Sequence, residues 1–177
     1  MSGIIFGGLV IPDSSITPAK LSQPLTLATA VNSTSGTSID FTGIPNWVDK
    51  ITIMFNRVST NASSALLIQI GSGSITNTGY VSQRWTGTAG SGVVTSGFDV
   101  SSTAGAGNSL SGIVLLNLVS GNLWVSSSNL NYMNTTSSGW VSSGSSSALS
   151  GALDRVRVTT VAGSDVFDAG TINILYQ

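Results

Sequence analysis

The side chains that most often perform acid–base, nucleophilic or metal-dependent chemistry are scarce in this sequence. Its 177 residues include no histidine and no cysteine, which excludes the usual proton shuttle, a thiolate nucleophile and disulfides together. Glutamate is also absent, so aspartate supplies all seven acids. Three of these aspartates, Asp154, Asp165 and Asp168, lie close together along the chain and are the candidates for chemistry.

Paired carboxylates could cleave a glycan or bind calcium. A glycosidase needs two carboxylates that flank one sugar bond, and the acid of the pair needs a raised pKa. Asp154 precedes Arg155 and Arg157, which favours ion pairs, while Asp165 and Asp168 stand near glycines that favour turns. No loop has the regular oxygen-ligand spacing of a calcium site. The sequence therefore predicts no catalytic residue, no cofactor and no metal site.

Two tryptophans are the candidate ligand-binding residues. Trp85 and Trp140 adjoin stretches of nearly pure serine, threonine and glycine at residues 86–96 and 135–147. These stretches are predicted to be exposed loops or sheet edges, or else a recognition tip. An indole beside hydroxyl and amide groups can stack on a sugar ring, but tryptophan is also enriched where subunits pack. Packing and sugar contact both stay open for each of the two residues.

The elements that would position these residues are β-strands. Residues 48–55 alternate, with Val48, Ile51, Ile53 and Phe55 as the predicted buried set, and residues 155–161 alternate strictly. Glycine- and serine-rich turns separate further predicted strands at residues 25–31, 37–41, 65–70, 80–85, 93–100, 111–119, 122–128, 147–153 and 171–176. No segment shows helical periodicity. The pattern predicts an all-β fold, an antiparallel β-sandwich of jelly-roll-like type.

Residues 1–25 differ in composition from residues 26–177. They contain three of the four prolines, which remove backbone donors and favour extended chain. They also contain an apolar run: Ile4, Ile5, Phe6, Leu9, Val10 and Ile11. If it were exposed to solvent, such an apolar run would promote aggregation. The sequence therefore predicts an extended, proline-containing N-terminal arm that anchors or oligomerises the chain, followed by one β-sandwich domain.

Charge excludes two classes of partner. Charged residues make up 7% of the chain and the formal net charge is −1, so there is no basic footprint for nucleic acid. No polybasic stretch could attract an anionic membrane, and the apolar run is too short to cross a bilayer. We therefore expect neither nucleic-acid binding nor membrane insertion.

Several long motifs carry a family resemblance. They are residues 37–48 (TSIDFTGIPNWV), 49–56 (DKITIMFN), 149–160 (LSGALDRVRVTT) and 165–176 (DVFDAGTINILY). These motifs resemble a module common in tail-fibre proteins of phages and prophages, and residues 16–25 (ITPAKLSQPL) are similar to the segment that precedes it. Residues 72–147 match less well, as expected of a variable face.

The resemblance implies a β-rich, homotrimeric virion protein at the tail fibre or the capsid surface. Its implied partners are its own copies, other virion proteins bound through the N-terminal arm, and a glycan of the host surface. One alternative is a head decoration, cement or tail accessory protein with a purely assembly role. Another is a depolymerase that cleaves host polysaccharide.

Overall fold

A computed structural model describes residues 3–6, 9–12, 23–85, 90, 92–101, 107–132 and 139–177, with side chains from residue 23 onward. These residues form antiparallel strands and no helix, which confirms the predicted all-β sandwich. Within the same residues no helix could span a membrane. The jelly-roll connectivity and the extended arm stay predictions.

The described part of the chain contains fifteen strands. They are β1 (Gly3–Phe6), β2 (Leu9–Pro12), β3 (Thr26–Leu27), β4 (Val31–Asn32), β5 (Ile39–Thr42), β6 (Lys50–Thr60), β7 (Leu66–Ser72), β8 (Ser74–Ile75), β9 (Tyr80–Trp85), β10 (Phe98–Asp99), β11 (Leu110–Ser120), β12 (Leu123–Tyr132), β13 (Gly139–Ser146), β14 (Arg155–Thr160) and β15 (Phe167–Tyr176). The large sheet has the order β3-β15-β6-β11-β12-β13-β9, with β4 also paired to β15. The small sheet has the order β10-β7-β14-β5, with β8 paired to β7.

Alternating apolar residues of the two sheets fill the core between them. On β6, Ile51, Ile53 and Phe55 are buried as predicted, and on β14 so are Val156 and Val158. Each buried aliphatic side chain contributes about 1.5–3 kcal/mol relative to exposure. The strict alternation fixes the register, because a slip of one residue would turn every apolar side chain outward.

The prediction of exposed loops or sheet edges over residues 135–147 is wrong for residues 139–146, while residues 135–138 lie outside the described residues. Residues 139–146 form β13, which lies inside the large sheet and pairs with β12 on one side and β9 on the other. Serine and glycine have low strand propensity, but pairing on both sides overrides it. The inward hydroxyls are hydrogen-bonded: Ser142 Oγ lies 2.7 Å from Ser128 Oγ, and Ser146 Oγ accepts the Trp124 amide at 3.2 Å.

Conversely, two segments predicted as strands are wholly or mostly irregular. Residues 147–153 form no strand, although Leu149 and Leu153 are buried in the core. These leucines fix a connecting loop against the core. Alternating apolar residues can therefore be buried without belonging to a hydrogen-bonded strand. Of residues 93–100 only Phe98–Asp99 is a strand, and Val94 makes an isolated bridge to Ser82.

A bulge distorts the large sheet where β6 meets its two neighbours. The register shifts on both sides of Arg57, which has a φ of 52°, a left-handed conformation that is uncommon outside glycine. The Arg57 amide donates to Ser111 Oγ at 3.0 Å. On the other side Gly170, with a φ of 98°, passes so close that a Cβ would overlap the Arg57 carbonyl. Glycine is needed there for both conformation and space.

Tyr80 joins the two sheets through its hydroxyl. The hydroxyl donates to the Thr76 carbonyl at 2.8 Å and accepts the Ile70 amide at 2.9 Å, while its ring meets Phe98 edge-on. A buried phenol is stable here because its polar end is fully bonded. Burial raises the pKa of Tyr80 to about 12.

The N-terminal apolar run lies in a hairpin. Strands β1 and β2 pair with each other in antiparallel register, with Ile4 opposite Ile11, Ile5 opposite Val10 and Phe6 opposite Leu9. Residues 13–22, which belong to the predicted arm, lie outside the described residues. A two-stranded hairpin is marginally stable on its own in water. The anchoring role of its apolar residues stays a prediction.

Substituting Gly170 tests the bulge. Gly170→Ala should lower the free energy of unfolding by about 3 kcal/mol or more, because it adds steric overlap with β6 to a strained φ. The control is Gly163→Ala, whose φ is 68° but whose Cβ would meet nothing within 4 Å, so it should cost only about 1 kcal/mol. Equal losses in chemical denaturation would contradict the close packing at the bulge.

The Tyr80 hydroxyl predicts a particular loss of stability in alkali. The unfolded phenol ionises near pH 10, whereas the folded one keeps its proton to about 12. Its contribution is therefore complete below pH 10 and is lost as the pH rises through 12, a change of about 3 kcal/mol. Tyr80→Phe should be less stable at neutral pH by about 1–3 kcal/mol and should lose less between pH 10 and 12. Parallel stability curves for the two proteins would contradict this role.

Candidate functional site

A strand of the small sheet separates Asp154 from Asp165, two of the three carboxylates considered for a catalytic pair. Asp154 precedes β14 and Asp165 follows it, and a strand of that length spans about 20 Å. The two carboxylates of a glycosidase lie about 5–10 Å apart. Asp165, in the connection between β14 and β15, accepts the Ser64 amide at 2.9 Å. The prediction that Asp168 is a turn residue is wrong: it lies within β15 and accepts the hydroxyl of Ser59 on the neighbouring strand β6.

Asp154 and the two arginines of β14 form ion pairs, as the sequence predicts. Arg155 Nε lies 2.7 Å from Asp154 Oδ1, and this bond holds the pKa of Asp154 below its usual range. Arg157 pairs with Asp40 across the strands through two bonds of 2.7 Å, which raise the pKa of Arg157. Among the described residues no three acidic, histidine or cysteine side chains are grouped closely enough to hold a metal ion.

The two candidate tryptophans lie on opposite faces of the large sheet. Neighbouring residues of a strand point to opposite faces, and Val141, which follows Trp140, pairs with Trp85. Trp140 is half-buried against the core and meets Tyr132 edge-on, with ring centroids 5.7 Å apart. This is the geometry of packing. The structure therefore does not bring the two indoles into one site.

Trp85 lies on the outward face, where half of its surface (50%) is exposed. Its neighbour across the strands, Val141, is 51% exposed. Gly90 bridges Trp85 from the other side, and a Cβ on Gly90 would come within 2.9 Å of the indole ring. The indole is thus supported along one side by backbone and is open to solvent above the sheet.

A shallow trough surrounds Trp85 on this face. Two adjoining depressions of about 400 and 460 Å³ share Gln83 and Ser143. We call their outward lining the outer trough: Val81, Gln83, Trp85, Val93, Val125, Val141, Ser143 and Ser145. It combines an indole and aliphatic side chains with one amide and two hydroxyls. Such a surface offers an apolar floor together with neutral hydrogen-bonding groups.

The strands beneath the outer trough are nearly free of charge. β11, β12, β13 and β9 are adjacent in the sheet, and Arg84 is the single charged residue in their sequences. Its guanidinium is mostly buried and bonds to the carboxylate of Asp99 on the small sheet. The positive charge of Arg84 is therefore neutralised inside the sandwich.

Sequence reasoning identified Trp85 but missed the residues around it. Gln83 occupies the alternate position of the same strand, so its presence on the Trp85 face could have been inferred from period-two alternation. Val141 and Ser143 belong to a segment predicted as a loop. Their alignment with β9 depends on a pairing between residues far apart in sequence.

No family model, curated protein or solved structure matches this chain. The resemblance to phage tail-fibre modules therefore stays a prediction.

The contrast between the two indoles predicts different stabilities for their variants. Trp140→Ala should lower the free energy of unfolding by about 2–4 kcal/mol, because it leaves a cavity beside Tyr132. Trp85→Ala, at a half-exposed position, should change it by about 1 kcal/mol or less. The measurement is denaturant unfolding of the two variants and the wild type. A larger loss for Trp85→Ala would show that Trp85 is a packing residue.

Proposed function

We propose that this protein is a non-enzymatic structural module of a bacteriophage particle, and that the outer trough contacts a glycan on the host surface. The observation that carries the proposal is the half-exposed Trp85, held on a rigid paired strand beside Gln83 and Ser143. An indole stacks on the C–H face of a pyranose ring, while amide and hydroxyl groups bind its hydroxyls. The tail-fibre resemblance supports the same assignment.

In this proposal the N-terminal hairpin attaches the module to the particle. Every cross-strand pair from Ile4–Ile11 to Phe6–Leu9 joins two apolar residues, which suits burial against other virion proteins or further copies of the chain. Self-association as a homotrimer would close this surface within a symmetric assembly.

A second candidate is a head decoration, cement or tail accessory protein that binds no host molecule. One observation favours it: Leu25 and Leu27, at the β3 end of the large sheet, are 58% and 61% exposed. Exposed leucines near a sheet edge suit contact with another protein of the particle.

Binding of the labelled protein to intact candidate host cells tests the proposal. Wild type should bind saturably, Trp85→Ala should lose most of the binding, and Val141→Ala should weaken it about three- to ten-fold. The matched control is Val161→Ala, because Val161 is also 51% exposed but lies outside the outer trough. Absence of binding by the folded wild type across a broad host panel would overturn the proposal and favour the assembly role.

A further inference from the structure

The outer face of the large sheet continues the surface of Trp85 across three more strands. The registers align Trp85 with Val141, Val141 with Asn129, and Asn129 with Ile113. All four side chains are exposed, Ile113 to 42%. Adjacent strands lie about 4.8 Å apart, so this row is about 14 Å long. We call it the cross-strand row.

A second row runs parallel to the first. Gln83 aligns with Ser143, Ser143 with Ser127, and Ser127 with Leu115. The two rows are about 7 Å apart, because their members are two residues apart on each strand. One row is thus mainly apolar, and the other begins with an amide and two hydroxyls. A strip of these dimensions accommodates a saccharide chain with ring faces on the first row and hydroxyls towards the second.

The spacing matches an extended polysaccharide. Successive hexoses of an extended chain repeat at a distance close to the strand separation, about 5 Å. A chain that crosses the strands would therefore meet Trp85, Val141, Asn129 and Ile113 in turn. Asn129 lies in the middle, where its amide can donate to one sugar hydroxyl and accept from another.

The charge of the strip decides between classes of polysaccharide. A uronate, sialate or phosphate group held against it would lose hydration, and the Arg84 guanidinium is already bonded to Asp99. Lys50 and Arg57 belong to β6, beyond the last strand of the cross-strand row. Neutral hydroxyls lose little by comparison, since Gln83, Ser143, Ser127 and Asn129 replace their water hydrogen bonds.

We infer that the ligand of this face is a neutral polysaccharide, bound over about four sugars and running across β9, β13, β12 and β11. The inference rests on the proposed function and specifies the ligand class of the same site. Trp85 supplies the stacking platform, and Asn129, two strands away from Trp85, forms a hydrogen bond with a sugar hydroxyl.

The test uses the full chain and an array of neutral oligosaccharides of one to six sugars, with uronate-containing oligosaccharides of matched lengths. Affinity for the best neutral series should rise about ten-fold or more from two sugars to four and then level off. It should change less than about two-fold between about 50 and 500 mM salt, because no ion pair forms. A preference for the acidic series, or binding that falls steeply with salt, would overturn the inference.

Two asparagine variants test whether the ligand extends along the strip beyond Trp85 and Val141. Asn129→Ala should weaken tetrasaccharide binding about five-fold and leave disaccharide binding unchanged. Asn56→Ala is the control, because Asn56 is an exposed amide of β6 outside the cross-strand row. Equal affinities for all lengths, with cell binding that still requires Trp85, would overturn the strip and leave the proposed function intact. Absence of both cell and glycan binding would overturn both.

Discussion

Backbone hydrogen bonds along β13 hold together the half of the large sheet that side-chain burial supports least. β13 contributes mostly serine and glycine, yet it lies between β12 and β9 and is paired on both sides. Without this ladder, β9 would lose its place in the sheet, and Trp85 would lose Val141 as its neighbour. The small side chains also let the strands approach closely: a Cβ on Gly144 would come within 2.8 Å of Ser82. The geometry of the outer trough therefore depends on main-chain pairing more than on hydrophobic packing.

The two sheets present chemically different outer faces. On the small sheet, Arg157 and Asp40 pair across strands, and Arg155 pairs with Asp154 at the end of β14. The four strands of the large sheet from β11 to β9 present hydroxyls, amides and apolar groups in place of charge. Exposed ion pairs contribute little to stability, so this division matters more for recognition than for folding. It gives the molecule one face suited to neutral ligands.

The sequence was informative wherever side-chain alternation was strong. The buried set of β6 and the turn between β11 and β12 follow from local pattern, and both were predicted. β13 was missed because its pattern of serines carries no hydrophobic period, and only pairing with distant strands makes it a strand. The residue type and sequence neighbours of Trp85 were enough to propose it as a candidate. They were not enough to predict that Trp85 and Trp140 lie on opposite faces of the sheet. That separation follows from which residue of β13 aligns with β9, a tertiary property.

The outward positions of β13 have one more consequence, for how such a surface can change over generations. Val141, Ser143 and Ser145 contact solvent, while their neighbours Ser142 and Ser146 make the interior hydrogen bonds. These outward positions can thus be exchanged for residues other than proline with little effect on the fold, since the ladder bonds are made by the backbone. Substitutions at these positions would change the chemistry of this face while the rest of the sandwich stays constant. Sequence diversity would then show a two-residue period along a strand that has almost no hydrophobic period of its own.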